Sequence, residues 1–217
     1  MKKAVIFDLD GTLTDTLSSI ANTANTVLKN NNFPPQPTEA YKQFAGDGAK
    51  VLIERALKAA GDNEVEEHIN EVLAQYLKLF EKGCIEGVKP FKNIPELLKE
   101  LKERGIKICI LSNKPQMMTI EVVNNIFGEN IFDIVQGQSE EIPPKPHQKG
   151  IQSIMKRLEV KAEECLYVGD SGVDMDTGNL AGIESVGVLW GFREKSELEA
   201  HNATYIISDP LEILTII

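Results

Sequence analysis

The N-terminal residues form an apolar run that ends at a polar loop. Ala4–Phe7 are all apolar, and Asp8 begins the segment Asp-Leu-Asp-Gly-Thr that follows them. A short uninterrupted apolar run is typical of a strand buried on both faces of a sheet. The pattern therefore predicts a first strand at Ala4–Phe7, with polar side chains gathered directly after it.

The next segment, residues 16–82, shows helical periodicity only. Apolar residues recur at three- and four-residue spacing between residues 17 and 28, and prolines at 34, 35 and 37 end that helix. Two further helices are predicted at 48–60 and 63–82. We therefore expect a helical domain at 16–82, inserted into a second domain that comprises residues 1–15 and 83–217.

Beyond residue 95 the pattern alternates between helix and strand. Helices are predicted at 95–104, 116–127, 147–158, 174–181, 195–200 and 210–216, and strands at 106–111, 131–135, 165–168, 185–189 and 204–207. Such alternation, with nearly continuous apolar strands, indicates a parallel sheet covered by helices on both faces. The predicted fold class is α/β, a doubly wound parallel sheet with a small helical domain inserted after the first strand.

Charge and apolar content limit the partners of the chain. An excess of 33 acidic over 23 basic residues gives a net charge of −10, which disfavours nucleic acid and anionic membranes as partners. No apolar run approaches the roughly 18 residues of a membrane span, and a signal-peptide pattern is missing. We expect a cytoplasmic protein, monomer or homodimer, that acts on a small molecule. Its cysteines, Cys84, Cys109 and Cys165, are expected to be buried apolar residues.

Polar residues follow three of the predicted strands. Asp8 and Asp10 follow the first strand, residues 112–114 follow the strand at 106–111, and Asp170 follows the strand at 165–168. In open α/β sheets, ligands bind beyond the carboxyl ends of the strands. We therefore expect these side chains to line one crevice.

The acidic residues at these strand ends suit a divalent cation. Asp8 and Asp10 are two residues apart, so an extended backbone directs both carboxylates the same way, where they repel each other unless a cation binds or one keeps a proton. Asp170, and Asp174 four residues later, complete a set of oxygen ligands that Mg²⁺ prefers. The alternative for the pair is a helix cap or the solvation of a loop, and for Asp174 alone it is a helix cap.

Ser112 and Lys145 are candidates for phosphate binding. The Ser112 hydroxyl and the following backbone N–H groups precede a predicted helix, a position that suits phosphate oxygens. Lys145 lies between Pro144 and Pro146, which stiffen the backbone, so its ammonium can act as a positioned charge for a phosphoryl oxygen or for Asp8. The alternative is a surface lysine in a proline turn.

Together these segments resemble the four motifs of the haloacid dehalogenase superfamily, in the same order. The first is DLDGTLTDT at residues 8–16, the second is Ser112-Asn113-Lys114, the third is Lys145-Pro146, and the fourth is Gly169-Asp170-Ser171 with Asp174. The resemblance extends over nearly the whole chain. It implies a Rossmann-like core with a helical cap that closes over the site.

The resemblance also implies roles. Asp8 is then the nucleophile and Asp10 the general acid/base, and Mg²⁺ is held by Asp8, Asp170 and the backbone carbonyl of Asp10, with Asp174 as support. Ser112 and Asn113 are expected to bind the phosphoryl group, while Lys145 balances charge. Because dehalogenases proper lack the acid/base aspartate, its presence favours phosphoryl transfer. Mn²⁺ has the same preference for oxygen ligands.

The helical insertion bears on the substrate. Gly46-Asp47-Gly48 and Arg55 resemble the cap of phosphoglycolate phosphatases: glycines permit close approach of backbone to ligand, and arginine pairs with carboxylate or phosphate. Thr14 and Gln148 depart from that pattern. An ordinary solvated helix residue is the alternative for Arg55. The predicted function is Mg²⁺-dependent hydrolysis of a small phosphate monoester through an aspartyl-phosphate, with 2-phosphoglycolate first among the substrates.

Other functions remain open on the same motifs. A sugar-phosphate mutase of the β-phosphoglucomutase kind would use the same two aspartates, and related caps serve pyrophosphatases and nucleotidases. Two non-enzymatic alternatives are a receiver-like phospho-acceptor and a catalytically silent binding protein. The length of the chain and its helical insertion disfavour the receiver, and the complete set of acidic, hydroxyl and lysine residues disfavours the silent protein.

Overall fold

The computed structural model describes all 217 residues, which divide into two compact units. One comprises Met1–Asp15 and Lys89–Ile217, and the other is Thr16–Val88. The second junction therefore lies six residues later than the sequence pattern had placed it. The reason is that turns continue the last helix of the insertion: Glu86 N donates to Gly83 O, and Val88 N donates to Ile85 O.

The elements follow the predicted order. The strands are β1 (Ala4–Phe7), β2 (Thr14–Asp15), β3 (Lys89–Pro90), β4 (Lys107–Pro115), β5 (Ile134–Gln138), β6 (Cys165–Gly169), β7 (Glu184–Val188) and β8 (Tyr205–Ile207). The helices are α1 (Leu17–Asn30), α2 (Tyr41–Phe44), α3 (Ala49–Ala59), α4 (Val65–Gly83), α5 (Ile94–Glu103), α6 (Gln116–Phe127), α7 (Lys149–Leu158), α8 (Gly172–Leu180) and α9 (Lys195–Ala200). Three short 3₁₀ helices are Thr38–Ala40, Ala162–Glu164 and Pro210–Thr215.

Six strands form one parallel sheet in the order β5-β4-β1-β6-β7-β8. The first strand is central, with Ile6 beside Cys109 on one side and Tyr167 on the other. On one side of β1 lie β4 and then β5. The chain then crosses to the other side of β1, where β6, β7 and β8 follow in order. This reversal next to β1 is the switch point at which such sheets bind ligands. The predicted doubly wound α/β class is confirmed.

Both faces of the sheet are covered. Every residue of β1 is fully buried, although successive side chains point to opposite faces. On one face, Ile6 and Tyr167 belong to an apolar cluster to which α7 contributes Ile151 and Ile154. The free cysteines Cys84, Cys109 and Cys165 are buried, as expected. None of the helices has both the length and the apolar character that crossing a membrane requires.

Some boundaries differ from the predicted ones. β4 extends to Pro115, so residues 112–114 lie in the strand rather than after it, and its pairing with β5 shifts register between Leu111 and Pro115. α8 begins two residues early, at Gly172. The final predicted helix is a 3₁₀ helix. β2 and β3, which pair antiparallel through Thr14–Pro90 and Asp15–Lys89, were not predicted because two residues show no periodicity.

The helical unit is built around α4, which packs against α1 and α3. Its apolar side chains are buried at the spacing expected of amphipathic helices, including Ile20 of α1, Leu57 of α3 and Tyr76 of α4. The short helix α2 precedes the glycine-containing loop at residues 46–48. The helical content of this segment agrees with the sequence pattern.

Candidate active site

Asp8 lies directly beyond β1, the central strand. Its backbone N–H donates to Val168 O at 2.8 Å, which holds the residue against the end of β6. Its side chain is buried, and Oδ1 accepts from Lys145 Nζ at 2.7 Å. The same ammonium donates to Asp174 Oδ1 at 2.8 Å. Lys145 therefore bridges two carboxylates that come from opposite parts of the chain.

Asp170 follows β6 and is held from two sides. Oδ2 accepts from Phe192 N at 2.7 Å, and Oδ1 accepts from Thr12 Oγ1 at 3.3 Å. Gly11 and Gly191 also approach it so closely that a Cβ at either position would lie 2.3 Å from an Asp170 side-chain atom. Side chains at these two positions are excluded by the carboxylate itself, so its orientation is fixed by packing as well as hydrogen bonding.

Asp174 lies in the first turn of α8. Its Oδ2 accepts from the backbone N of Ser171 at 3.1 Å and from Ser171 Oγ at 2.6 Å, while Oδ1 faces Lys145. The Tyr167 hydroxyl donates to the same Oδ1 at 3.4 Å. Asp174 therefore combines the helix-start position with a place in the acidic group, whereas the sequence alone had offered these as alternatives.

Asp8, Asp170 and Asp174 form a group that can hold a divalent cation. One carboxylate oxygen from each residue lies within 4.8 Å of the other two, and all three residues are buried. Three oxygen donors without nitrogen or sulfur are the ligands that Mg²⁺ and Mn²⁺ prefer. The donor set therefore fits the predicted ion. Asp10, the fourth predicted ligand, contributes no carboxylate oxygen to this group, and its metal contact through the backbone carbonyl stays a prediction.

Burial and neighbouring charges shift the pKa values of the acidic group and of Lys145. Burial raises the pKa of Asp8 well above its ordinary value, Lys145 opposes the shift, and Asp174 and Asp170 add to it. Burial, followed by repulsion from Asp174, raises the pKa of Asp170 to about 7. Burial would lower the pKa of Lys145, but Asp174 and Asp8 outweigh it and hold that pKa well above the ordinary value. A cation bound among these carboxylates would relieve their repulsion.

Asp10 pairs with a lysine that was not among the predicted site residues. Its Oδ2 lies 3.0 Å from Lys114 Nζ. Its other oxygen, Oδ1, is buried and has no hydrogen-bond partner. Buried polar atoms are rarely left unsatisfied, so an orphan carboxylate oxygen is a position at which a ligand or a transferred proton is expected. Lys114 lies in the second motif, and its place there was the only sequence signal for it.

Residues 112 and 113 make hydrogen bonds within the second motif and to the third. Ser112 Oγ accepts from Lys114 N at 3.2 Å. Asn113 Oδ1 accepts from Lys145 N at 2.6 Å, and Asn113 Nδ2 donates to Lys145 O at 3.4 Å. The Asn113 side chain thus binds the Lys145 backbone and helps to position it, and its predicted contact with phosphate stays a prediction.

The two predicted substrate residues of the helical unit lie near each other in sequence and structure. Gly46 has φ of 108°, a conformation that favours glycine. Arg55 Nη1 donates to Asp47 Oδ2 at 2.6 Å and to the carbonyl oxygens of Gln43 and Phe44. Arg55 therefore holds the loop that contains Gly46. Its predicted contact with substrate stays a prediction.

Comparison with known proteins identifies the family of the chain. A family model described as haloacid dehalogenase-like hydrolase matches residues 5–188. A phosphoglycolate phosphatase of Colwellia psychrerythraea is 31% identical over 217 residues, covering 98% of this chain and 96% of that protein. A crystal structure from Lactobacillus delbrueckii subsp. bulgaricus, provisionally assigned as a phosphoglycolate phosphatase, has a TM-score of 0.92 and 29% identity, covering 98% and 97% of the two chains.

A β-phosphoglucomutase from Clostridium difficile is a more distant neighbour. It has a TM-score of 0.75 and 22% identity, covering 98% of this chain and 93% of that one, so the likeness concerns the fold alone. The residues matched by the family model, 5–188, include all four motifs. The chain belongs to the haloacid dehalogenase-like hydrolases.

Proposed function

We propose that the protein is a Mg²⁺-dependent phosphatase that hydrolyses a small phosphate monoester through an aspartyl-phosphate on Asp8, with 2-phosphoglycolate as the substrate. The observation that carries this proposal is the position of Asp8: a buried carboxylate at the end of the central strand, paired with Lys145 and next to Asp170 and Asp174. Family membership and the phosphoglycolate phosphatase relatives support the reaction and the substrate.

In the first step, Asp8 attacks phosphorus. Lys145 holds Oδ1, so the carboxylate is fixed in direction, and its ammonium neutralises charge on the phosphoryl oxygens. Asp8 and Asp170 would hold Mg²⁺, with Asp174 as support. The ion would further neutralise the charge on those oxygens. A bond forms between an Asp8 oxygen and phosphorus, and the phosphorus–oxygen bond to the leaving group breaks.

Asp10 moves the protons. It donates a proton to the leaving oxygen in the first step and accepts one from water in the second, as a general acid and then a general base. The water oxygen bonds to phosphorus, the bond to Asp8 breaks, and inorganic phosphate leaves. Asp10 Oδ1, buried and without a hydrogen-bond partner, supports this role because it is the atom open to such an exchange.

The helical unit, Thr16–Val88, has the role of a cap in this proposal. Gly46 and Arg55 are its proposed substrate contacts, and the α/β unit is the catalytic core. Phosphoryl binding is assigned to Ser112 and the neighbouring backbone N–H groups, while Asn113 acts by positioning Lys145. The partner is a small phosphate ester rather than a macromolecule.

The test is phosphate release from a panel of esters with Mg²⁺ and with EDTA. The panel contains 2-phosphoglycolate, pyrophosphate, nucleotides and hexose phosphates. We expect metal-dependent release that is fastest from 2-phosphoglycolate. Isomerised sugar phosphate without free phosphate would indicate a mutase, and a phospho-enzyme that persists for minutes would indicate a receiver-like acceptor. No release from any ester would contradict the proposed function.

A further inference from the structure

Lys114 is a buried cation with a fixed position. Its side chain is 3% exposed, and Nζ lies 3.0 Å from Asp10 Oδ2. Its backbone is held as well, since N donates to Ser112 Oγ at 3.2 Å and O accepts from Thr119 Oγ1 at 3.1 Å. Burying an ammonium costs free energy unless opposite charge compensates it. A lysine kept here therefore supplies positive charge at a defined point of the site.

That point lies next to the leaving group of the proposed reaction. Asp10 protonates the leaving oxygen, which must come within hydrogen-bond distance of an Asp10 carboxyl oxygen. Oδ1 has no partner and Oδ2 faces Lys114, so the leaving oxygen is expected at Oδ1. Both oxygens share one carbon, so the distance from Lys114 Nζ to the leaving oxygen lies between about 3 and 8 Å, set by the directions of one hydrogen bond on each carboxyl oxygen. A carboxylate on the carbon that bears the leaving oxygen can contact Lys114 over the shorter part of this range.

An ammonium can serve two acceptors at once. It has three N–H donors and no acceptor. Lys145 demonstrates this in the same site, where it contacts Asp8 at 2.7 Å and Asp174 at 2.8 Å. Lys114 can therefore contact a second carboxylate while it faces Asp10, provided that the carboxylate enters beside the leaving oxygen.

We infer that Lys114 is a specificity-determining residue, which binds a carboxylate on the carbon that carries the ester oxygen. This inference rests on the proposed function and identifies its substrate class as short 2-phosphooxy carboxylic acids. It places part of the selection in the α/β unit, on the strand of the second motif, in addition to that proposed for Gly46 and Arg55. A charge-assisted hydrogen bond of this kind favours the charged substrate by about 10- to 100-fold over a neutral one.

The test uses two substrates of the same shape. 2-Phosphoglycolate carries the carboxylate, and 2-phosphoglycolamide carries a neutral amide instead. For the wild type with Mg²⁺ we expect kcat/KM to favour the acid by at least about tenfold. We expect K114M to lower kcat/KM for both substrates, because Asp10 loses its partner. In addition, the preference of K114M for the acid over the amide should fall to about threefold or less. K114R retains the charge and most of the preference.

A matched control lies on the same strand. Lys107, at the opposite end of β4, pairs with Asp133 at 2.8 Å and is half-exposed. K107M makes the same change of charge and should leave the preference of the wild type intact. Circular dichroism checks the fold of each variant, and K114Q replaces K114M if the latter does not fold.

The outcomes separate the inference from the function on which it rests. Equal kcat/KM of the wild type for both esters would overturn the inference and leave the phosphatase in place. If K114M and K114Q lower kcat/KM by the same factor for both esters, the inference is overturned too, because Lys114 would then act on Asp10 alone. Absence of phosphate release from both esters and from an aryl phosphate in the wild type would overturn the proposed function, and the inference with it.

Discussion

Lys145 Nζ lies 2.7 Å from Asp8 Oδ1, although 137 residues separate the two along the chain. Their contact joins the first and third motifs, and it exists because β1 and the loop before α7 meet at one edge of the sheet. Breaking a buried pair of this kind leaves an uncompensated charge, which is strongly destabilising. The pair therefore links the proposed nucleophile, Asp8, to the stability of the fold.

Asp8→Asn should abolish phosphate release while the protein stays folded, because Lys145 keeps Asp174 as a partner. The amide keeps the size of the side chain but is a poor nucleophile, so we expect kcat to fall by about 10³-fold or more. Phosphate release and circular dichroism measure the two properties. The matched control is Asp133→Asn, which also removes a carboxylate from a lysine pair in the α/β unit and should retain activity. Substantial turnover by Asp8→Asn would refute the proposed nucleophile.

Asn113→Ala should impair catalysis through Lys145. Without the contacts to Lys145 N and O, the lysine is less well positioned although its charge remains. We expect kcat to fall by about tenfold or more with a smaller change in KM, as positioning losses do. Asn125→Ala, which removes an exposed amide on α6 that bonds to Glu121, is the control. If KM rises and kcat stays constant, Asn113 contacts substrate instead.

Stabilisation by Mg²⁺ should increase with pH. The pKa of Asp170 is raised from 3.8 to about 7, so between these values the folded protein keeps a proton that the unfolded chain loses. The metal-free protein therefore loses stability as pH rises through this window. Mg²⁺ competes with the proton, and its affinity should rise up to about tenfold per pH unit below 7.

Thermal unfolding at pH 6 and pH 8, with MgCl₂ or with KCl of equal ionic strength, measures this effect. The rise in Tm caused by Mg²⁺ should be larger at pH 8, since a ligand that binds only the folded state stabilises it in proportion to RT ln(1 + [L]/Kd). Equal stabilisation at both pH values would show that protons and Mg²⁺ do not compete at these carboxylates.

Gly191→Ala should weaken metal binding without removing a ligand. The added Cβ would lie 2.3 Å from Asp170 Cβ, so the carboxylate or the chain must shift. We expect Mg²⁺ affinity to fall by about 10- to 100-fold, comparable with the loss of a residue that orients a ligand. The Mg²⁺ concentration at half-maximal activity reports the change. An unaltered value would mean that the backbone moves and Asp170 does not.

Arg55→Ala should alter substrate preference more than general activity. Arg55 holds the loop at residues 43–47 through Asp47 and two carbonyl groups, so its loss loosens a loop that contains Gly46. We expect KM for 2-phosphoglycolate to rise about tenfold, with a smaller effect on an aryl phosphate. Lys58→Ala, which removes a neighbouring exposed pair with Glu54, is the control. Equal losses on both substrates would remove Arg55 from the determinants of specificity.

The fold was predictable because β1 and β6 are uninterrupted apolar runs and the helices between them are amphipathic. Positions directly after parallel strands converge at one edge of the sheet, so the proximity of Asp8 to Asp170 also followed from the pattern. The pairing of Asp10 with Lys114 could not be predicted from the pattern. This pairing depends on the extension of β4 beyond Leu111. The extension was not predicted because residues 112–114 are polar and interrupt the apolar pattern of the strand.

Contacts made by loops could not be predicted from the sequence either. Asn113 and Lys145 are 32 residues apart, and neither periodicity nor composition indicates that an amide will hold a distant backbone. The contacts around Asp170 are of the same kind, because only the folded chain shows Gly11 and Gly191 against its carboxylate. Sequence motifs identify the residues of such a site more readily than the network that orients them.

The two-residue strands β2 and β3 have a consequence for the evolution of the chain. Asp15 pairs with Lys89, so the polypeptide leaves the α/β unit and re-enters it at hydrogen-bonded neighbours. Residues 16–88 are therefore a loop whose ends are already closed, and a short turn in their place would restore a continuous hairpin. Insertions of other lengths and folds can be exchanged at this junction while the proposed nucleophile Asp8, seven residues upstream of Asp15, keeps its position.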